Sequence, residues 1–109
     1  MSIDPDDLDL TEDQAEFLLD FHYRTMTVVR SSAALGILMA VSRDTVLRGD
    51  CRTSHKQFGR LNGKCRRSVD TAIKLLKGHH LIERVGTTEA GGAIYRANFD
   101  AECARNEVE

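Results

Sequence analysis

The sequence predicts a mainly helical protein that ends in a small two-stranded β-hairpin. Val69, Ala72, Ile73 and Leu76 are spaced i, i+3, i+4 and i+7, which predicts an amphipathic helix. Asn62-Gly63, just before it, predicts a tight turn that follows a shorter helix. Residues 81–85 and 93–99 read as two strands around a glycine-containing loop, which predicts the hairpin.

The length and composition suit one compact domain. The chain has 109 residues, of which 41% are hydrophobic. The longest uncharged stretch, residues 31–42, is too short to span a membrane, and the acidic N-terminus differs from a secretory signal. Three cysteines at spacings that suggest no disulfide framework predict reduced thiols and a cytoplasmic location.

The N-terminal third is predicted to be an arm and a helix. Residues 1–10 are acidic and hold the only proline, so we expect a disordered arm. Residues 11–32 form the N-terminal helix segment, in which Thr11 and Gln14 make a capping box. The helix is expected over residues 12–30, with a near-helical inward spacing of Phe17, Leu18, Phe21, Thr25, Val28 and Val29.

The middle of the chain is predicted to hold a core helix and a short second helix. Ser31-Ser32 is expected to cap or bend the chain before residues 33–41, which are apolar nearly all round and therefore buried. Gly49-Asp50 predicts a turn. Ser54 is expected to cap a helix over residues 55–61, with Phe58 and Leu61 directed inward.

The long helix is expected from about Cys65 to Gly78, where Gly78 can take the left-handed closing conformation. In the returning strand, Ile94, Arg96 and Asn98 are expected on one face, and Tyr95, Ala97 and Phe99 on the other. Residues 100–109 form an acidic tail, expected to be a short helix or frayed.

Short helix, turn, longer helix and hairpin, in that order, predict a winged helix-turn-helix over residues 33–99, with the N-terminal helix as an addition. The short helix would lie across the DNA backbone and brace the longer one. The longer helix would enter a major groove about 12 Å wide and present its N-terminal residues to the base edges. The hairpin would reach a neighbouring phosphate or the minor groove.

The segment TSHKQFGRLNGKCRRSVDTAIKLLKGHHLI, residues 53–82, resembles bacterial and phage winged-helix proteins of the MarR/GntR kind. The closer likeness is to the winged-helix domain of plasmid and phage replication or regulatory proteins. This likeness rests on three features: the segment ALGILMAVSRD, the segment RGDCRTS and the apolar stripe that ends at Leu81-Ile82. The pattern is typical of the fold, but it does not distinguish one regulator of this kind from another.

Three positions depart from that pattern. Gly59 stands where a small alanine usually packs between the two helices, which fits sterically but costs helix stability. Cys65 stands where Ser or Thr would cap the longer helix, so we expect a weak cap. His80 stands where Gly usually precedes the Leu-Ile strand, and Gly78 is expected to take its place.

The resemblance implies which side chains face DNA. On the longer helix the expected base-reading residues are Arg66, Arg67, Ser68, Asp70, Thr71 and Lys74. The arginines suit guanine, while Asp70 is expected to accept from cytosine N4 or to hold an arginine in place. The expected backbone contacts are Ser54, Lys56, Arg60, Lys64, Arg84, Thr87, Thr88 and Arg96.

The net charge of −2 conceals a strongly uneven distribution. Residues 1–20 carry eight acids and no base, whereas residues 48–84 carry ten bases against three acids. A block of one sign can attract a polyanion locally, and the competing interpretation is a solvated helix face. We expect the acidic arm to compete with phosphate for the basic block, so that its deletion would raise non-specific DNA binding.

The sequence gives little indication of metal binding, nucleotide binding or catalysis. The cysteines and histidines match no common zinc spacing, and GTTEAGG lacks the lysine and hydroxyl residue of a phosphate loop. His22 is expected to serve helix packing. No catalytic constellation stands out, so we expect a non-enzymatic protein without metal or cofactor.

Three functions stay open at this point. The first is a sequence-specific regulator, in the role of a repressor, that binds an inverted repeat of double-stranded DNA at the nucleoid. It would act as a homodimer that pairs through the N-terminal helix. The second is a plasmid or phage segregation or replication accessory protein that binds repeated sites. The third is a winged-helix protein-interaction module whose acidic arm contacts a basic protein partner.

Overall fold

The computed structural model describes residues 10–102, and the predicted arm and tail lie outside them apart from Leu10 and residues 100–102. Within this range the chain is mainly helical and ends in an antiparallel hairpin, as the sequence predicts. The elements are α1 (Glu12–Met26), α2 (Ser32–Arg48), α3 (His55–Asn62), α4 (Arg66–Gly78), β1 (Ile82–Thr87) and β2 (Ala93–Ala97). None of the helices described here is long and apolar enough to cross a membrane.

The start of α1 is as predicted and its end is not. The Thr11 side chain accepts from the backbone N–H of Gln14, and the Gln14 side chain accepts from the N–H of Thr11. The helix ends at Met26 rather than near residue 30, because the chain must turn there before Ser31 can cap α2. Val29 is nevertheless fully buried, in the connection between the two helices.

Helix α2 forms the centre of the core. Ala34, Ile37, Leu38 and Val41 are fully buried, and α2 contacts all three other helices and β2. The expectation that this helix is buried all round is wrong at Met39, which is 51% exposed. The reason is that its neighbours leave one strip of α2 uncovered.

Helices α3 and α4 meet at a turn that depends on two glycines. Gly63 has a φ of 63° and ends α3 in the left-handed conformation. A Cβ placed on Gly59 would lie 2.7 Å from the carbonyl oxygen of Lys64, so glycine fits at this position and an alanine would force the backbone to shift. Because α3 packs through Gly59 and Phe58, Leu61 points outward and is 63% exposed, whereas the sequence predicted that it points inward.

Helix α4 has the predicted inward stripe, since Val69, Ala72, Ile73 and Leu76 are all buried. Its end differs from the prediction. Gly78 belongs to the helix, and it is His80 that takes the left-handed conformation, with a φ of 59°. The Asn98 side chain donates to the His80 carbonyl oxygen at 3.0 Å, which holds this turn against the end of β2.

The hairpin is irregular and is tied to the α2–α3 connection. Its register pairs Ile82 with Ala97, and a bulge follows Arg84. The segment between α2 and α3 adds one antiparallel bridge, in which Cys51 and Tyr95 exchange backbone hydrogen bonds of 2.7 and 2.9 Å. Tyr95 and Ala97 belong to the core, Phe99 packs against it and Arg96 is exposed, as the predicted alternation requires. Ile94 is also buried, but it lies against Gly86, whereas Tyr95 stacks on His55 of α3.

Candidate nucleic-acid interface

Helix α4 carries the six predicted base-reading residues outside its buried stripe. The buried stripe of the helix faces the core, so these side chains lie on its other sides. Arg66, Arg67, Thr71 and Lys74 are exposed, whereas Ser68 and Asp70 are half-buried. The Arg66 side chain is 74% exposed, so its guanidinium is accessible to a ligand in solution.

The first turn of α4 has no side-chain cap, as the sequence predicts for Cys65. The Cys65 thiol instead lies 3.5 Å from the Ser68 hydroxyl, and this hydrogen bond lowers the pKa of the Cys65 thiol. The backbone N–H groups of an uncapped first turn, together with the helix dipole, favour an anion at this end of α4.

Residues of α3 and the turn bring further positive charge to the same end of α4. A groove of about 500 Å³ lies between the two helices. Four predicted DNA-contacting residues line it: Lys56, Arg60, Lys64 and Arg66. The structure therefore gathers into one groove the charges that the sequence spreads over eleven residues. Ser54 lies at the start of this surface, where its hydroxyl caps α3 by accepting from the N–H of Gln57.

A second groove of about 460 Å³ lies between α4 and the start of α2. Lys64, Arg67, Ser68 and Thr71 line one side of it. Its other side is formed by Ser31 and Ser32, which the sequence indicated only as capping residues. The available signal was a pair of hydroxyl residues at the start of the central helix, but only the packing of α2 against α4 places them beside the cations.

His55 links the two helices to the hairpin, which sequence reasoning missed. Its Nδ1 lies 3.0 Å from Oδ1 of Asp70, and its Nε2 lies 2.9 Å from the Tyr95 hydroxyl. A carboxylate can only accept, so Nδ1 donates to Asp70, and Nε2 of a neutral ring accepts from Tyr95. Burial raises the pKa of the Tyr95 hydroxyl, which therefore stays a donor. The same Asp70 oxygen lies 3.6 Å from Nε of Arg66.

The hairpin residues that the sequence predicts to contact DNA do not all lie at one place. The Arg84 guanidinium donates to the Thr87 hydroxyl at 3.0 Å and is exposed near the hairpin loop. The Thr88 hydroxyl accepts from the N–H of Gly92 and so shapes that loop. Arg96 is exposed but lines a separate groove with Glu83 and Asp100, which no residue of α4 enters. The structure therefore does not bring Arg96 together with the cations of α4.

The remaining residues considered in the sequence analysis are the histidines, the cysteines and the acidic residues. Within residues 10–102, no group of three His, Cys, Asp or Glu residues could hold a metal ion. His22 is half-buried in α1, and this burial lowers the pKa of its imidazole. Comparison of the chain with family models, curated proteins and solved structures gave no match.

Proposed function

We propose that the chain is a sequence-specific double-stranded DNA-binding protein of the winged helix-turn-helix type, in which α4 reads the major groove. The element order supports this proposal: α2, the Cys51 bridge, α3, α4 and the hairpin follow one another as in that fold. The resemblance to bacterial and phage winged-helix proteins is part of the same proposal. In this role β1, β2 and their loop form the wing.

The observation that carries the proposal is the collection of cations around the exposed N-terminal end of α4. Lys56, Arg60 and Lys64 lie on one side of Arg66 and suit backbone phosphates, which fix a protein on the duplex. Arg66 and Arg67 would then reach the base edges. A bidentate contact from arginine to guanine contributes about 1–3 kcal/mol of discrimination against another base.

His55 and Asp70 have a positioning role in this proposal. Asp70 contacts both His55 and Arg66, so the carboxylate holds the guanidinium on the outer face of α4. Because His55 also bonds Tyr95 of β2, the wing and the reading helix keep one relative position. A duplex would therefore meet a preformed surface rather than three independent elements.

An inverted repeat is the proposed target. Two copies of α4 would enter successive major grooves about 34 Å apart. The proposed role is regulatory, that of a repressor at an operator, with no catalytic step and no cofactor. Acting at DNA in this way would place the protein at the nucleoid.

Selection of bound fragments from random DNA, followed by titration of the best duplex against salt, tests this function. We expect one palindromic sequence and a log–log salt slope near −5, the value for about six phosphate contacts. Failure to bind any duplex, or a flat response to salt, would contradict DNA binding. Footprints over many clustered repeats would contradict the operator role and favour segregation or replication.

A further inference from the structure

Helix α1 is apolar on two separate faces. Leu18, Phe21 and Thr25 point into the core. At 100° per residue, Leu19, Tyr23 and Met26 form a second row that is turned away from these buried residues. Their exposed fractions are 60%, 67% and 53%, respectively. Single exposed apolar residues are ordinary, but three in one row along a helix mark an interaction surface.

An apolar groove lies directly beside this row. It has a volume of about 350 Å³ and runs between α1 and α2. Carbon-rich side chains make up most of its walls: Leu10, Ala15, Leu18, Leu19, Met39 and Ala40. Met39, itself 51% exposed, continues the apolar surface from α1 onto α2. A protruding row next to a hollow of the same chemistry is self-complementary, which is what a two-fold interface requires.

The charges along α1 favour one orientation of such a pair. Glu12 and Glu16 lie on the outward face in its N-terminal half, and the exposed Arg30 follows its C-terminal end. Antiparallel helices would place each acidic end beside the Arg30 of the other copy, and the helix dipoles would also oppose one another favourably. Parallel helices would place acid against acid, which is unfavourable.

We propose that α1 pairs antiparallel with α1 of a second copy of this chain, about a two-fold axis between Leu19 and Tyr23. In this register Leu19 packs on Tyr23 of the second copy, and Glu12 approaches Arg30 of the second copy. The exposed rows then enter the grooves formed with α2. The biological use of this pair rests on the proposed function, since an inverted repeat requires two copies, but the association itself requires no DNA.

Sedimentation equilibrium of the full chain without DNA tests the pairing. We expect a dimer for the unchanged chain and, for Leu19→Lys with Tyr23→Lys, a loss of affinity of at least about 100-fold. The control is Val85→Lys, which changes another exposed apolar residue, on the hairpin, and should leave the dimer intact. Circular dichroism should show unchanged helix content, because both altered residues of α1 point away from the core. A chain that stays monomeric at about 100 µM, or a double variant that still dimerises, would overturn the proposal.

A charge exchange tests the orientation. Glu12→Arg and Arg30→Glu should each weaken the dimer, and the two changes together in one chain should restore it. Failure of the combined variant to recover would overturn the antiparallel arrangement. DNA binding is measured separately on the same samples. A dimer that binds no duplex would refute the proposed function and leave this interface standing, whereas a monomer that binds a half-site would refute the interface alone.

Discussion

The Nδ1 atom of His55 lies 3.0 Å from Oδ1 of Asp70 and thereby joins the start of α3 to the outer face of α4. The two residues are fifteen positions apart, and neither is fully buried. The same imidazole reaches Tyr95 on β2, so one side chain of α3 contacts both α4 and β2. The orientation of Asp70 beside Arg66 therefore depends on a histidine that itself lies outside the row of base-reading residues.

Replacing Tyr95 by Phe should test the importance of this link. The change keeps the buried ring and removes only the hydroxyl, so we expect the free energy of unfolding to fall by about 1 kcal/mol, the typical net value of one hydrogen bond. His55→Ala removes both hydrogen bonds and should cost more. Urea denaturation of both variants measures the difference.

The DNA affinity of these variants separates positioning from stability. If His55 positions Asp70 and Arg66, His55→Ala should weaken binding to the selected duplex more than binding to random DNA. An equal loss on both duplexes would show that His55 acts only on the stability of the fold.

Gly59→Ala should destabilise the protein although alanine is the better helix former. The added Cβ would lie 2.7 Å from the Lys64 carbonyl oxygen, and since this is backbone, the α3–α4 turn would have to shift. We expect a loss of about 1–3 kcal/mol, as is usual for overpacking. Thermal or urea denaturation provides the measurement.

Gly78→Ala is the matched control for that change. Gly78 is also helical, but apart from its chain neighbours and the backbone of its own helix, no atom of residues 10–102 lies within 4 Å of the position of its added Cβ. We expect a gain of up to about 1 kcal/mol from helix propensity alone. Equal effects at both glycines would contradict the close approach of α3 to the turn.

Arg66→Ala together with Arg67→Ala should abolish sequence-specific binding and leave the fold intact. Both side chains are exposed, and neither belongs to the core. Electrophoretic mobility shift with the selected duplex and with a scrambled duplex measures the loss. Lys77→Ala, at the other end of the same helix, should retain specificity. Specific binding that survives the double change would contradict the assignment of α4 as the reading helix.

The two described thiols should differ strongly in reactivity. Burial raises the pKa of Cys51 to about 11, so its thiol stays protonated and enclosed at pH 8. Cys65 is exposed, and its hydrogen bond with Ser68 lowers its pKa, which favours the reactive thiolate. Alkylation followed by peptide mass mapping should label Cys65 first, and bound DNA should protect it. Labelling of Cys51 as fast as Cys65 in the folded protein would contradict this burial.

The parts of the fold that depend on local sequence could be predicted. The Thr11 cap and the inward stripe of α4 follow from spacing alone, and both are confirmed. The orientation of Leu61 could not be predicted, because it depends on how closely Gly59 approaches the backbone of Lys64. The left-handed conformation of His80 likewise depends on contacts with the end of β2.

The individual residues of the candidate interface could be proposed from the sequence, but their arrangement in space could not. The cations of α3, α4 and the turn between them are apparent from charge, and the structure gathers four of them into one groove. The arrangement also depends on residues that are far apart in the sequence. Ser31 and Ser32 line a groove beside α4, and His55 contacts Asp70 and Tyr95. Arg96 shows the converse, since it was expected beside the other DNA-contacting cations but lines a groove with Glu83 and Asp100 that no residue of α4 lines.

The bridge between Cys51 and Tyr95 has a consequence for the cooperativity of unfolding. It closes a long loop, and the N–H of Ala97 is likewise bound across the fold, to the Thr45 hydroxyl at 3.0 Å. The base of the hairpin therefore cannot separate from α2 without disrupting the core. Its amides should exchange with solvent deuterium only through global unfolding, while those of the loop at residues 88–92 exchange by local opening. The hairpin thus comprises a tip that can adapt to a bound surface and a base as stable as the domain itself.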